Sequence, residues 1–115
     1  MTENEYYDQF ALAFSWMQKE VHELAISKGW WDQLRNELEL MCLIMSELGE
    51  ATEAVREDSM SSKILGFSGL EEELSDVIIR VMDMAQQGGL RLAEAIIAKH
   101  QYNQSRPIRH GGKKY

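Results

Sequence analysis

The chain has one cysteine, Cys42, and one proline, Pro107, in 115 residues. A lone thiol has no internal partner, which excludes a disulfide framework and fits a reducing, cytoplasmic setting. Scarce proline leaves helices uninterrupted, and abundant Leu, Met, Ala, Glu and Gln favour them. No apolar run reaches the roughly 18 residues of a spanning helix, so no membrane segment is expected. The opening stretch MTENEYYDQ is acidic and lacks the basic-then-apolar build of a signal peptide. Strand-like alternation and internal repeats are also absent.

Positive charge is scarce and unevenly placed. The net charge is −7. Residues 1–98 hold seven Lys/Arg against nineteen Asp/Glu, a net of −12, while Lys99–Tyr115 holds five Lys/Arg and no acid. An acidic body argues against a binder of nucleic-acid polymers. The basic tail, about residues 104–115, either reaches a phosphate or is a solvated end that touches nothing. The length fits a single domain, 1–115, with a core small enough that burial against a second chain would help.

What is present is helical periodicity. Phe10, Phe14, Met17, Val21 and Leu24 repeat at steps of four and three, which predicts a helix over about 5–27 closed by Gly29. A second helix is expected over about 32–58, carrying Leu38, Met41, Met45, Leu48 and Val55. SMSSKILGFSG breaks the pattern. A third helix runs from Leu70 to Gly88-Gly89 and a fourth from Leu90 to about Asn103. The fold class is therefore all-α, a bundle of four to five helices.

Two helices carry carboxylates in unexpected places. At about 100° per residue, Leu40, Leu43, Ala51 and Ala54 fall within roughly 40° of Glu47, so Glu47 lies in an apolar stripe. Glu50 is one turn on, about 60° away; Glu53 and Arg56 read as surface. The third helix is apolar almost all round, with one polar stripe of Glu73, Asp76, Arg80 and Asp83, which predicts a central position. Glu47/Glu50 and Glu73/Asp76 thus form two acidic pairs at i, i+3. If the helices pack antiparallel, four carboxylates converge and raise one another's pKa values. Hard divalent cations make such a cluster tolerable, and an all-oxygen set selects Mg²⁺, with Mn²⁺ as a substitute. Glu-x-x-His, the di-iron signature of helical bundles, is missing. The alternative is solvated acids, with Glu71–Glu73 serving the helix dipole.

SELGEATEA followed by EEELSDVIIRV, and then by Lys99, Asn103 and Arg106 in KHQYNQSRP, resembles the MazG-like all-α nucleoside triphosphate pyrophosphohydrolases, relatives of dCTP pyrophosphatases and dimeric dUTPases. The resemblance spans about Phe10 to Tyr115. The family's opening pair of glutamates is Ser46-Glu47 here, a departure away from the Glu47 stripe. The resemblance implies Mg²⁺-dependent hydrolysis of (deoxy)nucleoside triphosphates to the monophosphate and pyrophosphate, a house-cleaning activity. It implies metal binding and catalysis by Glu47, Glu50, Glu73 and Asp76, and phosphate binding by Lys99, Asn103 and Arg106. It also implies a base pocket containing Trp31 and His22, with Trp16, Phe14 and Met17 nearby, although Phe14 and Met17 read rather as core. Relatives form homodimers or homotetramers whose sites draw on more than one chain. The competing reading is a non-catalytic helical module that binds a nucleotide or a protein. If the tail closes over a phosphate, with Gly111-Gly112 as hinge, truncation after Pro107 should raise KM for a triphosphate; unchanged KM and kcat would remove the tail from the mechanism.

Overall fold

A computed structural model describes residues 1–115 as five helices without strands. The elements are α1 (Glu3–Ser27), α2 (Glu37–Glu57), α3 (Gly69–Gly88), α4 (Leu92–Gln104) and a single turn, α5 (Arg109–Gly112). The expected all-α bundle is what forms.

Local chemistry sets the helix ends. The Thr2 side chain accepts from the Glu5 N–H at the start of α1. Lys28 closes that helix, and Gly29 follows at φ 86°, the left-handed backbone that glycine adopts without a steric penalty. Helix α2 starts later than the periodicity suggested. Residues 28–33 form a turn and a bend, and Asn36 supplies the N-cap, accepting from the Glu39 N–H at 2.8 Å. Ser68 and Glu71 form a reciprocal capping box on α3. After Pro107, α5 has positive φ at four successive residues, Arg109 to Gly112, and its side chains are exposed.

Helix α3 is the central element, packing against both α2 and α1, while α4 lies on α1. The buried residues of α2 are Ile44, Ala51 and Ala54, with Leu40 and Leu43 half-buried, so the stripe around Glu47 does face inward. The Leu38–Val55 stripe does not. Leu38 is 78% exposed and Val55 58%, with Met41, Met45 and Leu48 also exposed. Periodicity identified an apolar face there, but within one chain nothing covers it. On α1, Val21 is buried as expected, whereas Met17 and Leu24 are exposed and the inward face continues through Tyr7, Gln18 and His22.

The α2–α3 loop is pinned shut. Met60 and Ser68 form an isolated antiparallel bridge, and the Gly69 N–H donates to the Ser59 carbonyl at 2.8 Å. A Cβ on Gly69 would lie 2.7 Å from Ser59 Oγ and 3.1 Å from Ser59 O. The hydroxyl can rotate; the carbonyl, held by the Gly69 N–H, cannot withdraw without moving the loop. A Cβ on Gly49, inside α2, meets nothing within 4 Å. The two glycines should therefore respond oppositely to alanine. Gly69→Ala should lose about 1–3 kcal/mol by overpacking, and Gly49→Ala should gain about 0.5–1 kcal/mol from helix propensity. Denaturant unfolding of both variants checks this, and shifts of the same sign would contradict it.

Candidate active site

Where α2 meets α3, the polar stripe of α3 faces Glu47. Glu47, Glu73 and Asp76 each bring a carboxylate oxygen within 4.8 Å of the others, and all three are half-buried. Burial pushes the Glu73 carboxyl above its ordinary range, and the charges of Asp76, Glu72 and Glu47 push it further. Burial likewise raises Asp76, reinforced by Glu47 and Glu72, while Lys63 and Arg80 pull it back. Arg80, on the same stripe, donates from Nε to Glu47 Oε1 at 2.8 Å. The Ser61 hydroxyl donates to Glu72, and Lys63 Nζ lies 3.8 Å from the same carboxylate, tying the loop to α3 beside the cluster.

A cavity of about 310 Å³ opens against the cluster. Glu47, Asp76 and Arg80 line it together with Trp30, Trp31 and Asp83. At Asp83, three elements meet. His22 Nδ1, from α1, lies 2.7 Å from Asp83 Oδ1. Trp31, from the turn after α1, donates from Nε1 to Oδ1 at 3.0 Å and to Oδ2 at 3.1 Å. The His22 and Trp31 rings meet edge to face, with centroids 5.5 Å apart.

The structure therefore brings Glu47, Glu73 and Asp76 into one cluster and His22 and Trp31 together on Asp83; Trp31 and Asp83 line the neighbouring cavity, and His22 sits behind them. Glu50 stays outside the cluster on the exposed side of α2. Three residues turn the helix about 60° away from Glu47, enough to leave the narrow seam with α3. Lys99, Asn103 and Arg106 do not line the cavity, because α4 lies on α1. Instead Lys99 Nζ sits 4.7 Å and the Arg106 guanidinium 5.3 Å from the centre of the Tyr102 ring. Trp16 and Met17 line a shallow apolar surface elsewhere on α1, and the Trp16 indole donates to Glu20. The α1 side chains that line the cavity begin further along, at Val21 and Leu24. Sequence reasoning missed the cavity cations Lys28 and Arg35 and the role of Asp83. Asp83's position on the polar stripe of an otherwise apolar helix was the available signal.

The donor chemistry fits a hard divalent cation: three oxygen ligands, crowded and half-buried, with one guanidinium as their direct cationic partner. The profile of the MazG nucleotide pyrophosphohydrolase domain matches residues 35–106, which include all of α2, α3 and α4. The chain belongs to the MazG family, whose members generally depend on divalent metal. No curated protein and no solved structure matches the chain.

The raised carboxyls make a stability prediction. A carboxyl group whose pKa rises on folding holds more protons in the folded chain than in the unfolded one. Its contribution is complete below the unfolded value and is lost as pH rises through the folded value. Asp76→Asn removes that loss. Without divalent cation at neutral pH the variant should melt above wild type, and the gap should close on acidification through the carboxylate range. A divalent cation should raise the wild-type Tm by binding only the folded state and should raise the variant's much less. Thermal melts across pH check both parts; a variant that melts lower at neutral pH would contradict the first.

Proposed function

We propose that the chain hydrolyses (deoxy)nucleoside triphosphates to the monophosphate and pyrophosphate with Mg²⁺, or Mn²⁺ in its place, as a cytoplasmic house-cleaning enzyme. The observation that carries this reading is a carboxylate cluster and an aromatic-walled cavity sharing Glu47 and Asp76 as a common border. A triphosphate needs both: a place for cation-bridged phosphates and a slot for a planar base. Trp31 would stack on the base, with His22 behind it on Asp83, and base–aromatic stacking is worth roughly 1–3 kcal/mol per base.

Glu47, Glu73 and Asp76 would hold the cation, which would supply positive charge for the phosphates and lower the pKa of a water. Glu50, one turn from Glu47 but outside the cluster on the exposed side of α2, is given no part in proton transfer within one chain, because a general base must reach the proton it takes. Arg80 offers its guanidinium to phosphate on the cavity side. Lys99, Asn103 and Arg106 act on the pyrophosphate of a neighbouring copy's site, since α4 packs on α1, away from its own chain's cavity. The exposed apolar stripe of α2 supports such a homodimer or homotetramer.

A panel of nucleoside and deoxynucleoside triphosphates with Mg²⁺ or Mn²⁺, read for pyrophosphate against orthophosphate, tests the proposal. Pyrophosphate release is expected from at least one substrate. Glu47→Gln and Asp76→Asn should each lower kcat more than tenfold, about 1.4 kcal/mol of barrier, with the helical content kept. No turnover with any member of the panel would sink the enzyme reading.

A further inference from the structure

Asp83 takes no part in the chemistry proposed above, yet it is the most heavily engaged acid of the cavity wall. Its side chain is 20% exposed and that of His22 11%. One carboxylate gathers a donor from α1 and a donor from the α1–α2 turn onto α3. Both Asp83 and Trp31 line the cavity.

An ionised carboxylate has about four lone-pair positions and no proton to give. His22 occupies one on Oδ1, and the single Trp31 N–H is divided between the two oxygens. Accepting capacity therefore remains on Oδ2. An acceptor held this firmly, beside an indole, reads the edge of a flat ring: it attracts an N–H and repels a carbonyl oxygen. Carboxylates accept from the amino group of cytosine in the same way when proteins read bases in nucleic acids.

We propose that Asp83 is the specificity-determining residue of the cavity, selecting nucleoside triphosphates whose base presents an exocyclic amino group over those with oxygen at the same ring position. The inference rests on the pyrophosphohydrolase reading and adds the substrate class to it. His22 and Trp31 act as positioning residues for the carboxylate, and the hydrogen bond to Asp83 in turn fixes the plane of the Trp31 indole. Discrimination of this kind can be large, because the wrong base leaves a buried acceptor unpaired.

The test uses matched pairs in which an exocyclic amino group is replaced by a carbonyl and the adjacent ring nitrogen gains a hydrogen: dCTP with dUTP, and dATP with dITP. Values of kcat/KM are measured by pyrophosphate release from the full chain with Mg²⁺. Wild type should favour the amino member of at least one pair by about tenfold or more. Asp83→Asn keeps the shape and an acceptor for the Trp31 N–H but offers an amide donor to a carbonyl; it should bring that ratio toward one. Trp31→Phe, which keeps a ring but removes the N–H, should also reduce it. A role confined to stability would lower both members alike and leave the ratio standing, which overturns the proposal. Equal kcat/KM for both members of each pair in wild type also overturns it, while leaving the pyrophosphohydrolase reading intact. No pyrophosphate from any triphosphate overturns both.

Discussion

Three acids crowded into a half-buried seam are the constraint around which this chain is organised. Like charges at such distances repel, and burial penalises each of them further. The seam persists because the α2–α3 packing on either side holds the backbones in place. Ile44, Ala51 and Ala54 are the buried residues of α2, and Met82 and Ala85 are buried on α3. Small side chains dominate that set, which lets the helices approach and leaves the longer carboxylates nowhere to diverge. Arg80 offsets part of the repulsion through Glu47. The loop contributes too, since Ser61 and Lys63 engage Glu72 and keep a fourth acid on α3 partnered.

The polar stripe of α3 then divides the labour along one helix. Near its start, Glu73 and Asp76 face α2. At the middle, Arg80 bridges back to Glu47. Further along, Asp83 turns the same stripe toward α1 and the tryptophan turn. A stripe that would be wasted on a solvated surface here links a charged centre to an aromatic pocket within about three helical turns. That continuity is why a compact bundle can offer one site with two chemically distinct ends.

Much of this was legible in the sequence. Glu47 betrayed itself by sitting among Leu40, Leu43, Ala51 and Ala54, and Glu73 and Asp76 by being polar on a helix with few polar positions. Helical period is a local property, and so are those anomalies. Other features were not local. The Leu38–Val55 stripe was visible as apolar, but a wheel does not say whether an apolar face meets its own chain's core or the outside, and here it lies outside. Glu50 shares the acidic spacing of Glu47 yet falls off the seam by one step of the same wheel. The place of α4 depends on which helix it docks against, so the distance of Lys99, Asn103 and Arg106 from the cavity could not be read from KHQYNQSRP. Asp83 meets partners 61 and 52 residues away in the chain, a separation at which residue spacing carries no signal.

The Arg80–Glu47 pair has a consequence for what enters the seam. Protons, the guanidinium and any incoming cation contend for the same few carboxylate oxygens. Burial and the neighbouring charges raise the Glu73 and Asp76 carboxyls above their ordinary range, and Arg80 already occupies one side of Glu47. A cation held by Glu47 would therefore compete with the guanidinium for the same oxygens, and one held by Glu73 and Asp76 would oppose the rise in their carboxyl pKa values. Arg80 also lines the cavity, so a guanidinium displaced from Glu47 would stay beside it.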